Sequence, residues 1–265
     1  MSSAATGAFG RDIGLVGWQI RYEQRAYWRN RGRGVFTFVF PLMFLVIFAS
    51  LNNGQHLSTR GNIPYNAFFV PGILAYGVIA TTYINMAIGT AILRDEGILK
   101  RMQGTPLPRW AYIAARIGST CVIVALMTVV TVGLGVVAYG VHLRAGAIPG
   151  MVVVLVLGTA AFTTLGIGIT RFIPNAEAAP VIVNLSILPL TFISSIWFPA
   201  DTMPSWLKDV AKAFPIRALA DGLQYAFDPR RTGAGLNAQD IRTLAIWSVV
   251  GIALMLRFLR RPQGE

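Results

Sequence analysis

Charge is scarce in this chain. Only 13% of its 265 residues are Asp, Glu, Lys or Arg, against 54% hydrophobic residues and a mean hydropathy of +0.58, whereas soluble domains average about 25% charged. So few polar side chains cannot cover a soluble protein with this much apolar sequence, and the composition is that of an integral membrane protein. Histidine, cysteine and lysine are also nearly missing. His56 and His142 are the two histidines, and neither has a Cys or a carboxylate at ligand spacing, which argues against a metal centre or a histidine-based catalytic pair. Cys121 is the only cysteine, so there is no internal disulfide; in its apolar run it reads as a small core residue. The three lysines, Lys100, Lys208 and Lys212, follow Leu99, Leu207 and Ala211. A G-x-x-x-x-G-K-[ST] phosphate loop needs glycine before its lysine, so the chain carries no nucleotide-hydrolysing loop and is not expected to be an enzyme. Ion coupling usually needs ionisable groups deep within membrane spans, and those are missing too.

What the sequence does have is long apolar runs. They lie near 35–51, 67–93, 111–141, 148–170, 176–198 and 243–259, each close to the roughly 20 residues that cross a bilayer core of about 30 Å. The expectation is an all-α integral membrane protein forming a single transmembrane domain over 1–265, with six transmembrane helices. An amphipathic leader over 8–33 precedes them. In it Phe9, Ile13, Val16, Ile20 and Tyr27 form one row, Arg21, Arg25 and Arg29 another, and Trp18 and Trp28 suit an interface. Between the fifth and sixth runs lies an outer segment, 199–242, expected to contain short re-entrant or interfacial helices. After Pro204, Trp206, Leu207, Val210 and Phe214 share a face that would rest at the outer headgroup level.

The arginines set the orientation. Arg11, Arg21, Arg25, Arg29, Arg31 and Arg33 precede the first run, the loop after it holds only Arg60, and the tail carries Arg257, Arg260 and Arg261. The positive-inside rule then places both termini in the cytoplasm of a multi-pass protein of the cell membrane. Segment 199–242 is basic yet should lie outside; it is long and interleaves five aspartates, and long loops cross largely regardless of charge. The net charge of +12 is therefore a matter of membrane insertion and anionic lipid rather than of nucleic acid.

Polar residues in the second and fifth runs, Thr81, Asn85, Asn184, Ser186, Thr191 and Ser194, are candidates to line a translocation path, or else to hydrogen-bond helices together. Ala160, Thr164 and Gly168 repeat small residues every fourth position, a spacing that lets helices approach. Asn175 is placed to cap the fifth helix, with Glu177 in its first turn.

The densest mixed-charge strip, LRDEGILKRMQGTPLPRWAYIAARI from Leu93 to Ile117, sits between two apolar runs. Positive-inside bias alone would explain its arginines but not Asp95 and Glu96. The residues Arg94, Asp95, Glu96, Gly97, Leu99, Lys100, Arg101, Thr105, Pro106 and Leu107 resemble the R-[ED]-x-G-x-L-x-R…T-P-L run of type-2 ABC exporter permeases. The stretch from Asn175 through Phe198-Pro199 and Met203-Pro204-Ser205-Trp206-Leu207 resembles that family's fifth span and the segment following it. One departure stands out: the family often has Ser-Gly before the aromatic-Pro pair, where this chain has Ser194-Ser195.

The resemblance implies a dimer of six-span permeases, expected to be a homodimer, above two ABC ATPase subunits. The permease itself would hold no cofactor; ATP and Mg would be bound by the partner ATPase. Arg94, Asp95, Glu96, Gly97, Lys100, Arg101, Thr105, Pro106, Leu107 and Arg109 would couple to that ATPase, and the second and fifth spans would face the dimer axis. The cargo would be a drug, lipid or polyketide. Alternatives are a polysaccharide or glycolipid exporter of the same fold, and a membrane scaffold with no transport of its own.

Overall fold

The computed structural model describes residues 2–58, 61–98, 101, 109–199, 201 and 203–260. It is helical apart from one two-residue antiparallel pair, β1 (His56–Leu57) with β2 (Ile63–Pro64), in which His56 faces Pro64 and Leu57 faces Ile63. The helices are α1 (Ser2–Arg29), α2 (Arg31–Leu51), α3 (Tyr65–Ile79), a π-helical turn (Ala80–Ile84), α4 (Asn85–Asp95), α5 (Arg109–Tyr139), α6 (Ile148–Ile169), α7 (Ala179–Ile193), α8 (Ser205–Lys212), α9 (Pro215–Phe227) and α10 (Ala238–Arg260).

Four helical stretches among the described residues are long and apolar enough to cross a membrane: Tyr65–Asp95, Ala111–Tyr139, Ala145–Phe172 and Ala238–Arg257. Two further apolar helices, Thr37–Leu51 and Ala179–Ile193, are shorter. Continuous α3 forms the centre. It is apolar on every side and nearly every residue in it is buried, as expected of a helix surrounded by others rather than facing lipid. Its glycines are contact points: a β-carbon at Gly77 would stand 2.6 Å from Met127 Cε, and one at Gly72 would stand 2.6 Å from the Ile196 carbonyl oxygen.

The amphipathic leader packs on the bundle as well as flanking it. Ile20 of α1 fills the space above Gly118 of α5, Gln19 and Tyr27 are buried, and Gln24 Nε2 donates to the carbonyl oxygen and hydroxyl of Ser119 at 2.8 and 3.0 Å. The side chains of Phe9 and Ile13 lie outside the described residues.

Three boundaries differ from the sequence reading. The fifth apolar run, expected over 176–198, is helical only from Ala179 to Ile193. It ends because Ser195 adopts a left-handed backbone (φ 59°), and Ser194, Ser195 and Ile196 leave the helix fully buried. Irregular backbone of this kind is tolerated at membrane depth only where protein surrounds it. Here the Ser195 carbonyl accepts 2.7 Å from Gln224 Nε2, and Ile196 lies on Gly72. The sixth run begins at Ala238 rather than 243, because Asn237 Oδ1 accepts from the Gln239 N–H at 3.1 Å and starts the helix earlier. Segment 199–242 does not rest wholly at the surface. Trp206 and Val210 of α8 are exposed, but α9 is buried between α3, α6 and α10. The turn between α8 and α9 reaches Trp247, whose indole donates 2.8 Å to the Ala213 carbonyl. Trp247 lies well inside α10, so the α8–α9 pair re-enters the bundle. Cys121, read as a core residue, is exposed on α5.

Candidate functional site

The mixed-charge strip begins where α4 ends. Arg94 donates to the Thr170 carbonyl at 2.9 Å and the Pro174 carbonyl at 3.2 Å, and pairs with Asp95 at 3.1 Å. Asp95 in turn accepts from the Ala176 N–H. Asn175 accepts from the Ala178 N–H at 2.8 Å, which caps the turn before α7 rather than the helix: α7 begins at Ala179 without a side-chain cap, so Glu177 precedes it instead of occupying its first turn. Arg94 and Asp95 therefore form a clamp that fastens the end of α4 to the connection between α6 and α7. These two residues are engaged inside the chain, whereas the residues after them are presented outward: Glu96 and Arg101 are exposed, and Gly97 takes a left-handed backbone (φ 69°) that glycine adopts at little cost. Arg101 Nη2 donates back to the Glu96 carbonyl at 3.4 Å. Lys100, Thr105, Pro106 and Leu107 lie outside the described residues; Arg109 opens α5, and its side chain is also outside them.

A cavity of about 440 Å³ opens between α2, the π turn and α7, lined by Thr37, Phe40, Tyr76, Asn85 and Asn184 among others. Of the six candidate path residues, only Asn85 and Asn184 meet in it. Asn85 Nδ2 donates to Thr37 Oγ1 at 3.2 Å, and Asn184 Nδ2 to the Pro180 carbonyl at 2.8 Å, so each amide keeps its oxygen for another partner. Above the cavity Trp197 stands 5.4 Å from Phe44 and 5.3 Å from Tyr76, ring centre to ring centre.

The other four candidates sit elsewhere. Ser186 faces the opposite side of α7, bonded to Tyr83 at 2.8 Å. Thr81 is buried with an unpartnered hydroxyl. Thr191 bonds the Leu188 carbonyl at 2.8 Å and receives Trp197 Nε1 at 3.4 Å. Ser194 is buried at the broken end of α7, its hydroxyl without a partner among the described residues.

Sequence reasoning missed the π turn. Its wider coil places Thr81, Thr82 and Tyr83 where the central helix meets α6 and α7, and such turns concentrate at functional sites. Gly166 makes the close approach possible, since a β-carbon there would stand 2.7 Å from the Tyr83 carbonyl oxygen. No residue type in the turn announces it.

On the far side of the bundle a polar basin of about 450 Å³ is lined by Asp201, Asp221, Asp228, Arg230 and Asp240 among others. Burial pushes the Asp228 carboxyl up, but the Arg230 side chain and backbone N–H donate to it. With the charges of Arg230 and Arg231 they outweigh burial and hold it below the usual carboxylate range. No group of three or more metal-binding side chains occurs among the described residues.

Taken together, a bundle of apolar helices, a broken fifth apolar helix and an outward-facing charged strip match the pattern of a membrane permease. A sequence profile of the ABC-2 type transporter family matches residues 15–227, and the chain belongs to that family. It is similar to the daunorubicin resistance ABC transporter permease protein DrrB1 of Streptomyces coeruleorubidus, 28% identical over 182 residues, 66% of this chain and 62% of that one. It is similar to the probable multidrug ABC transporter permease YbhR of Escherichia coli K12, 22% identical over 160 residues, 60% of this chain and 43% of that one. The inner membrane transport permease YadH of the same strain is 21% identical over 187 residues, 70% of this chain and 71% of that one. The matches to the first two thus span less than two thirds of those relatives' lengths.

Proposed function

We propose that this chain is the permease subunit of an ATP-driven exporter in the cytoplasmic membrane, crossing it six times (α2, α3 to α4, α5, α6, α7 and α10) with both termini inside. It works as a homodimer on two ATPase subunits, which alone bind and hydrolyse the nucleotide, and its cargo is hydrophobic or amphiphilic. The observation that carries this reading is the continuity from strip to cavity. Glu96 and Arg101 are available to a partner, while their neighbours Arg94 and Asp95 grip the foot of α7, and α7 carries Asn184 into the cavity. A push on the strip reaches the cavity wall through a few hydrogen bonds, as a two-state packing change requires.

Two amides with free acceptors beside Phe40 and Tyr76 suit a planar amphiphile, and the relative named for daunorubicin resistance supports that cargo class. The two aromatic rings also favour a second reading, a glycan that stacks on them.

The test begins with gentle solubilisation of the tagged chain. The expected result is an ATPase bearing a Walker loop at about one per permease, in keeping with a coupled two-state machine, lost when Glu96 and Arg101 are both replaced by alanine. A clean preparation without ATPase, under conditions that keep other membrane complexes whole, overturns the exporter reading in favour of a scaffold. Photo-crosslinkers at positions 85 and 184 then separate the cargoes: capture of a labelled lipid or daunorubicin supports the amphiphile, and capture of glycan alone overturns it.

A further inference from the structure

The face of α7 opposite the amide cavity borders a second hollow of about 220 Å³, walled by Leu165, Ile169, Leu190, Trp247 and Leu254 with Phe172 at its rim. Its side-chain polar atoms are already paired. Tyr83 and Ser186 bond each other at 2.8 Å, and Trp247 Nε1 donates 2.8 Å to the Ala213 carbonyl. Nothing is left to recognise a polar solute, and most of the wall comes from α6, α7 and α10, with Phe214, Pro215 and Ile216 at the start of α9 completing it. Chain ends of the bilayer are the available occupant.

The rim is not neutral. Arg171 directly precedes Phe172, and Arg257 lies one turn beyond Leu254 on the same side of α10. Both are exposed, and neither has a hydrogen-bond or ion-pair partner among the described residues. The nearby carboxylates do not cancel them: Asp95 is taken by Arg94 and the Ala176 N–H, and Glu177 makes no ion pair with either arginine among the described residues. An apolar slot whose bounding helices carry two exposed arginines, one next to Phe172 in sequence and one a turn beyond Leu254, matches a phospholipid, with its acyl chain inside and its phosphate at the rim.

We infer that the hollow between α6, α7 and α10 binds one anionic phospholipid from the leaflet on the side of the chain termini, with Arg171 and Arg257 holding its headgroup. The lipid fills the gap beside the broken helix α7 and so bears on the element that also lines the amide cavity. The inference requires only the membrane placement, not the export reading.

The test uses the full chain, with any ATPase that copurifies, in phosphatidylcholine vesicles. These carry a trace of either phosphatidylglycerol or phosphatidylcholine bearing a diazirine at the end of one acyl chain. After irradiation, adducts are mapped by mass spectrometry. The phosphatidylglycerol probe is expected to label the peptides containing Leu190 and Leu254 about tenfold more than the phosphatidylcholine probe does, the preference two interfacial arginines supply. Exposed Val129 and Val137 of α5 should be labelled equally by both. The double variant Arg171→Gln, Arg257→Gln should abolish the preference, and Leu254→Trp should block labelling of the hollow by both probes. The two arginines are exposed, so their variant remains informative even if the tryptophan variant fails to fold. Equal labelling by the two probes, or a preference that survives loss of both arginines, overturns the site. Displacement of the label by daunorubicin also overturns it, by assigning the hollow to cargo.

Discussion

Helices α10 and α7 flank the same re-entrant pair, yet they are held in opposite ways. α10 lies along α6 in the most extensive helix contact of the molecule. The approach is allowed by Gly251 against Thr164 and by Gly168, where a β-carbon would stand 2.8 Å from Leu254 Cβ. α7 touches its neighbours more sparsely, has a hollow on each side, and carries the exposed side chains Val181, Leu185 and Phe192. It is fixed instead by a few polar points: the Arg94–Asp95 clamp at its foot, Tyr83 at its middle and the Ser195–Gln224 bond at its top. Close packing resists displacement in every direction, because many small dispersion gains are lost together. A helix held at discrete points can exchange one arrangement for another. The frame is thus α3, α6, α9 and α10, and α7 is the element free to respond.

The largest effect should come from attacking the frame. Gly166→Leu would drive a side chain into the Tyr83 backbone and against Met86, at a cost of about 3 kcal/mol of overpacking. The monodisperse peak in detergent should largely disappear. Gly133→Leu is the control: a β-carbon there meets nothing within 4 Å, and the yield should be unchanged. If both variants behave alike, glycine placement does not define the frame.

Releasing α7 should leave the fold standing. Asp95→Ala removes the acceptor of the Ala176 N–H and the partner of Arg94. The site is partly exposed, so the loss in stability is about 1 kcal/mol. Under the proposed exporter reading, export should nonetheless fall about tenfold while the ATPase still copurifies, because force on the strip would no longer reach the cavity wall; a tenfold loss corresponds to about 1.4 kcal/mol of lost coupling. Unchanged export would mean that α7 is driven from elsewhere.

A third variant should act in the opposite direction. Ser195 occupies the left-handed region, which costs a residue with a β-carbon about 1–2 kcal/mol, and its buried hydroxyl has no partner among the described residues. Ser195→Gly removes both penalties and should raise Tm by a few degrees, as about 1 kcal/mol does for a chain of this size. A lower Tm would show that the hydroxyl stabilises the break.

These three sites also mark how far the sequence could be read. The apolar runs were legible because hydropathy is a local signal, and Asn175 was legible as a capping residue, though it caps the turn before α7 rather than the helix itself. The Ser194-Ser195 departure was visible too, but its meaning depended on a backbone angle. The row Ala160, Thr164, Gly168 looked weak, since small residues are common in membrane helices; packing on α10, with Thr164 against Gly251 and Gly168 against Leu254, gives two of its members their role. Arg94 and Asp95 read as partner contacts because the groups they bond, the accepting carbonyls of Thr170 and Pro174 and the donating N–H of Ala176, lie some 80 positions away on backbone that any sequence would supply. The burial of α9 was hidden for a related reason. Its buried face includes Ala218, Ala220 and Gly222, whose small size signals close approach only once the opposing helices are known. Cys121 shows the converse: in a membrane protein an apolar run does not distinguish the core from the lipid face.

The smallest effect should lie on the outer rim of the frame and depend on pH. Asp228 is held below the usual carboxylate range by Arg230 and Arg231, despite partial burial. A carboxylate whose folded pKa is depressed contributes stability above its unfolded value, near 4, and loses it as pH falls through the folded value. Because the arginines are largely exposed, Asp228→Asn should lower Tm at pH 7 by no more than about 2 °C. The difference should shrink below pH 4 as the parent's carboxylate is itself protonated. Thermal melts of parent and variant at pH 7, 5 and 3 follow both changes. A gap that stays constant with pH would mean that the outer rim is held by the shape of Asp228 rather than by its charge. Point attachment by ion pairs would then be confined to the α7 side of the molecule.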